Sequence, residues 1–266
     1  MSDKDVTSQK SLSYKRVASD EESENTKRPR VSLATWLTSS SADADLAALP
    51  MPTTTDAAYI QDRHSVFIGY VYPLTTASPT YISALIDHLK HVVHPTIPIS
   101  QLPPQFQHSG PSKRGSTHDI YAYRVLQLKP GRTGLGGPSD FGIEQGKEDD
   151  GEAWGSDKVA RVLREQGASD VLVIVSRWYG GELLGPVRFE HITNCARAAL
   201  ATHLDMEAVA EARRTLQKLD QQIAACRETP AKVNPYEQLT LERANRLRQA
   251  KEKTLLYLRK NKNMIS

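Results

Sequence analysis

The feature that most constrains this chain is a short apolar run, residues 171–175, that leads through Ser176-Arg-Trp-Tyr-Gly-Gly towards Pro186 and a long helical pattern. Five consecutive apolar residues bounded by turn chemistry read as a buried strand. Gly180, Gly181 and Gly185 permit positive φ and close backbone approach. Pro186 suits the start of a helix, where its missing N–H would have no partner anyway. A buried strand, a tight turn and a helix thus follow one another within 30 residues or so, and at least one helix must lie against a sheet.

Two further strands are legible by alternation. Residues 65–72 place Val66, Ile68, Tyr70 and Tyr72 on one face, and Pro73 ends the run. Residues 118–128 set Ile120 and Ala122 against Tyr121, Tyr123 and Val125. Pro79 opens a helical pattern in which Ile82, Leu85, Ile86, Leu89, Val92 and Val93 recur at three and four. A short amphipathic helix is expected over residues 154–166, stopped by Gly167. Residues 95–116 hold five prolines, and residues 129–150 are rich in Gly, Pro and Asp, so both are expected to be loop insertions. Strand, helix, strand, helix, strand, helix is the pattern of an α+β fold, a two-layer βαβ sandwich over residues 58–204.

Beyond residue 204 the pattern changes. Val209, Ala212, Leu216, Leu219, Ile223 and Cys226 form a heptad-like seam of the coiled-coil kind. Asn234-Pro235 is a helix start, followed by a weaker stripe of Leu239, Ala244, Leu247, Leu255 and Leu258. A short connection makes neighbouring helices antiparallel, so residues 205–266 are expected to form an antiparallel helical hairpin. The arm is basic. It carries 13 Lys+Arg against 8 Asp+Glu, net +5, which leaves 21 against 23, net −2, for the rest of the 34 and 31. Such an arm suits an acidic partner, nucleic acid or an acidic protein face, or else is a solvated helix surface.

Around the glycine turn stand Arg177, Arg188, His191 and Arg197. A helix N-terminus beside arginines is one way to hold an anion, a phosphate or an RNA backbone among them. The same residues admit a structural reading, in which the glycines let a helix pack tightly and the arginines pair with Asp149, Asp150 or Glu152. Acid–base chemistry would have to come from His118, Asp119, Asp149, Asp150, Glu152 and His191. No HExxH, CxxC, phosphate loop or nucleophile elbow accompanies them. The chain is therefore expected not to be an enzyme, with a hydrolase centred on His118 and the acidic turn as the remote alternative. No metal or cofactor is implied. Cys195 and Cys226 have no partner at metal-ligand spacing, which fits a reducing compartment.

Four blocks in order carry a resemblance. They are Asp62-Arg-His-Ser-Val-Phe67, Thr117-His-Asp-Ile-Tyr-Ala-Tyr-Arg124, Asp149-Asp-Gly-Glu152, and the run from Ser176 to Arg197 with its Arg-Trp-Tyr-Gly-Gly and Arg-Phe-Glu-His-Ile cores. Together they resemble the Impact family of translation regulators over residues 59–204. The resemblance implies a sandwich similar to domain four of elongation factor G. It further implies a non-catalytic role in general amino-acid control, by competition for the ribosome-associated activator of the initiation factor 2 kinase. Actin is a partner of some relatives, and bacterial relatives have no settled activity. Gly180, Gly181, Gly185, Arg177, Arg188, His191, Arg197, His118, Asp149, Asp150 and Glu152 then become candidate partner- or anion-binding residues. Two departures stand out. Eukaryotic members usually carry an N-terminal RWD domain, where this chain has about 57 low-complexity residues. Trp154 follows the acidic turn where a small residue is expected.

The first 57 residues are expected to be disordered, apart from a short helical spacing of Leu33, Trp36 and Leu37. Lys15-Arg16 and Lys27-Arg28-Pro29-Arg30 have the spacing of a bipartite nuclear-import signal, and Ser19 and Ser23 lie in an acidic stretch between them that suits an acid-directed kinase. A cytoplasmic protein with a nuclear share is expected. No apolar run approaches the ~20 residues of a membrane span, and no secretory leader is visible.

Overall fold

The computed structural model describes residues 48–110, 114–230 and 236–265, with side chains up to residue 261. The expected import signal, its phosphorylation sites, the Leu33–Leu37 pattern and the Asn234-Pro235 helix start lie outside the described residues.

Five strands form one antiparallel sheet in the order β1-β2-β5-β3-β4. They are β1 (Tyr59–Asp62), β2 (Ser65–Pro73), β3 (His118–Leu128), β4 (Phe141–Glu148) and β5 (Val171–Trp178). The helices are α1 (Pro79–His88), α2 (Gly155–Glu165), α3 (Val187–Arg227) and α4 (Leu241–Ile265). The architecture is the α+β layering expected, a sheet with helices packed on it. Strand β5 is buried from end to end because β2 pairs along its whole length on one side and β3 on the other.

The alternation in β2 and β3 predicts which core each residue enters. Val66, Ile68, Tyr70 and Tyr72 join Val125, Leu172, Ile174 and Trp178 on one face. Phe67, Val71, Ile120 and Ala122 join Val171, Val173 and Val175 on the other, beneath α2 and α3. Both faces are covered. On the first face α1, Leu102 and the partly buried Ile97 and Phe106 form the lid. Gly69 is the point of closest approach to α3, where a Cβ would lie 2.4 Å from the Cys195 carbonyl oxygen.

The structure corrects several expectations. The 129–150 insertion contains strand β4, which pairs with β3 from Tyr121↔Glu148 to Leu128↔Phe141. It escaped notice because an edge strand buries little, and β4 has no fully buried residue to impose a period. The 95–116 insertion includes a helical turn, Pro104–Gln107, and serves as packing for the first face. There is no break at residue 204. Helix α3 runs unbroken for 41 residues, about 60 Å, since nothing between Val187 and Arg227 is Gly or Pro. It ends on Glu228 in the left-handed region, with Thr229 N–H bonded to the Ala224 carbonyl at 3.1 Å. Helix α4 starts at Leu241, behind Thr240, whose hydroxyl accepts from the Arg243 N–H at 3.3 Å.

The helix pair is parallel where an antiparallel hairpin is expected. Ala244 and Leu247 pack in one cluster with Val209, Ala212 and Leu216. Further along α4, Lys251 pairs with Asp220, further along α3. Rising number on one helix matches rising number on the other. Tyr236, ahead of α4, also bonds to Asp220.

Candidate functional site at the glycine turn

Strand β5 delivers Ser176, Arg177 and Trp178 to the end of the sheet, and the turn that follows is pinned by backbone contacts. Tyr179 N–H donates to the Thr117 hydroxyl at 3.0 Å and Gly180 N–H to the Ser65 hydroxyl at 3.1 Å. A Cβ on Gly180 would meet the His64 carbonyl carbon at 2.1 Å, so only glycine fits. Gly181 and Gly185 take φ of +88° and +60°. This fixes the start of α3 and brings Arg188 back over the sheet end.

There Glu152 clamps two arginines. Its carboxylate pairs with Arg177, and its other oxygen lies 2.6 Å from Arg188 Nε. Glu152 and Arg177 are each 5% exposed. Arg177 also sits over the rings of Phe67 and Tyr179, at 5.2 and 5.4 Å. Arg188 donates to the Gly185 carbonyl at 2.9 Å and stacks on Phe189 at 4.4 Å. A cavity of about 350 Å³ opens beside them, lined by Thr117, His118, Glu152, Tyr179, Leu183 and Arg188 among others.

The acidic turn serves structural tasks. Asp149 accepts from Ser156 N–H at 2.8 Å and Trp154 N–H at 3.1 Å and so caps α2. Burial opposes ionisation of Asp149, but the bonds from Ser156 and Trp154 outweigh it and hold the carboxyl below its usual range. Asp150 accepts from Asp119 N–H at 2.7 Å, and its carbonyl takes the His118 Nδ1–H at 2.7 Å. Trp154 occupies a left-handed position, φ 70°, which explains why a small residue is expected there.

Two residues grouped with the site by sequence pair with carboxylates other than Glu152. His191 bonds to Asp62 at 2.8 Å, and that bond, with a second from Arg63, keeps the Asp62 carboxyl low. Arg197 faces Glu165 on α2 at 3.4 Å. The six acid–base candidates therefore serve separate tasks. Asp149 caps a helix, Asp150 ties down β3 and His118, and Glu152 holds arginines.

A second buried polar cluster lies on the other face. Ser176 donates to Asp119 at 2.6 Å, Ser116 donates to the same oxygen at 2.7 Å, and His94 Nε2 lies 3.0 Å from the Ser176 hydroxyl. Since Ser176 gives its proton to Asp119, His94 donates from Nε2 and cannot act as a base towards that serine. Burial pushes the His94 imidazole down to about 4, so it is neutral near pH 7. Sequence reasoning missed His94. It follows a π-helical turn, Leu89–Val93, that an i, i+3, i+4 count does not register.

Residues 63–200 match the Impact N-terminal domain. The chain belongs to the Impact family. Protein IMPACT of Xenopus laevis is 33% identical over 144 residues, which is 54% of this chain and 36% of that protein. Protein IMPACT of Rattus norvegicus is 33% identical over 150 residues, 56% of this chain and 38% of that one. The zebrafish protein, from Danio rerio, is 44% identical over 85 residues, 32% and 24% of the two lengths. The chain thus spans well under half the length of these relatives. Among solved structures, the two-domain translational regulator Yih1 aligns at 23% identity over 66% of this chain and 62% of that one. Its TM-score is 0.30, too low to compare the two folds by. The glycine turn lies within the matched residues, and the helix pair beyond Leu200 lies outside them.

Proposed function

We propose that this Impact-family protein is a non-catalytic regulator of translation that works by protein–protein contact at the glycine turn. The observation that carries this is the division of polarity there. The buried Arg177 and the half-buried Arg188 are neutralised inside the molecule by Glu152, while two large apolar side chains stand exposed beside the carboxylates of Asp150 and Glu182: Leu183 is 82% exposed and Trp154 68%. An exposed aromatic and an exposed aliphatic side chain suit a protein partner better than a phosphate. Family membership supports the pathway, general amino-acid control. The partner is then the ribosome-associated activator of the initiation factor 2 kinase, with actin as a further candidate. The protein works in the cytoplasm, and residues 15–30 carry a share of it to the nucleus.

The test is affinity purification of the tagged full chain from its own cells, with and without nuclease, beside a Trp154→Ala/Leu183→Ala variant. Recovery of the kinase activator that survives nuclease and is lost in the variant supports the reading. Recovery of neither the activator nor ribosomes overturns it.

A further inference from the structure

The helix pair carries a different kind of surface. Helix α4 holds eight Lys or Arg against two Glu between Leu241 and Ile265. Its apolar stripe is spent on α3, through Ala244, Leu247 and Leu255. The opposite side has spacings of three and four that place Arg243, Arg246, Ala250, Lys253, Tyr257 and Lys260 along one line. All six are exposed, Tyr257 at 66%. The line is about 25 Å long.

The pairing of the charges is uneven. Lys251 sits beside α3 and is taken by Asp220. Arg248 faces Glu252 at 3.9 Å on the flank of the stripe, and Arg246 pairs with Glu242 at its N-terminal end. Arg243, Lys253 and Lys260 make no ion pair among the described residues. Unlike the arginines of the glycine turn, these cations have no internal carboxylate.

We infer that this outward stripe of α4 is a docking surface for the phosphate backbone of a double-helical nucleic acid. A helix with cations at regular intervals meets a regular line of phosphates. One exposed tyrosine is too little for the stacking platform that single strands require. An anionic membrane would need a broad apolar face; that of α4 is packed on α3, which leaves only Leu256 and Tyr257 as large apolar side chains exposed on α4 among the described residues. The surface lies outside the matched family domain and does not depend on the protein-binding role proposed above.

The experiment is fluorescence anisotropy of the full chain against a labelled RNA duplex, the DNA duplex of the same sequence, and anionic vesicles, across salt. Four phosphate contacts give a log–log salt slope of about −3.6, or roughly a 150-fold loss from about 50 to 200 mM salt. The quadruple variant Arg243→Gln/Arg246→Gln/Lys253→Gln/Lys260→Gln is expected to lose that slope with its helical circular dichroism intact. The charge-keeping variant, Arg243→Lys/Arg246→Lys/Lys253→Arg/Lys260→Arg, is expected to keep it. The RNA and DNA arms decide which double helix is preferred. No duplex binding at low salt, binding that the quadruple variant retains, or binding to vesicles alone would each overturn the inference.

Discussion

The glycine-turn region and the C-terminal helix pair are both rich in arginine and lysine, yet they treat those charges in opposite ways. At the turn, Arg177 and Arg188 converge on one buried carboxylate, and His191 and Arg197 have partners of their own. On α4 Lys251, which faces α3, is taken by Asp220; Arg246 and Arg248 pair only with glutamates of their own helix, and Arg243, Lys253 and Lys260 make no ion pair among the described residues. A charge removed from water must be paired to be tolerated, whereas an exposed one costs little to leave free. The position of a basic side chain relative to the sheet therefore decides whether it is structural or available, and basic residues that look alike in sequence are not equivalent.

The largest effect that could break this comparison comes from Glu152. Glu152→Ala leaves Arg177 buried without a counter-charge, and chemical denaturation is expected to show a loss of about 3–5 kcal/mol. A loss under about 1 kcal/mol would mean that the clamp is not what holds the arginines.

Next comes acid sensitivity. The His94 imidazole is lowered by burial from its ordinary value to about 4, and burial lowers His88 and His203 in the same direction. The unfolded chain then binds protons that the folded one refuses. Stability present above about pH 6.5 is lost as pH falls towards 4, by on the order of 3 kcal/mol from His94 alone. Denaturation curves at pH 7 and pH 4.5 measure it, and His94→Gln is expected to flatten the difference. A pH-independent midpoint would contradict the burial argument.

Gly69→Ala tests the contact of sheet and helix. Its Cβ would be forced against the Cys195 carbonyl, with an expected loss of about 1–3 kcal/mol in thermal or urea unfolding. A neutral outcome would mean that α3 can slide on the sheet.

In the helix pair, Tyr236→Phe removes one bond to Asp220 and is expected to cost about 1 kcal/mol. The smallest effect belongs to Arg197→Gln, whose partner Glu165 is exposed; a clear drop in the urea midpoint would show that its ion pair behaves like a buried one.

Much of the fold was legible because burial leaves a period in the sequence. Strand β5 was read as buried from its apolar run and the Val66 face of β2 from alternation, whereas the burial of Phe67 on the opposite face shows only in the structure. The glycines at 180, 181 and 185 were legible for another local reason: two need left-handed φ and the third admits no Cβ. Family membership rested on the same local rules, since a motif is a set of residues that one turn requires.

What only the tertiary structure decided is whatever depends on partners distant in sequence. Strand β4 exists because β3 offers it an edge, and its own residues bury too little to announce it. The direction of α4 shows in the contacts of Tyr236 and Lys251 with Asp220, neither of which a heptad count contains. That His191 and Arg197 take partners different from that of Arg177 and Arg188 was decided by which carboxylates, Asp62, Glu165 and Glu152, the fold brings within reach. Sequence fixes local conformation and the side that faces inward, because those depend on near neighbours and on the cost of burying polar groups. The pairing of charges waits for the fold, because Coulomb attraction acts across space and not along the chain.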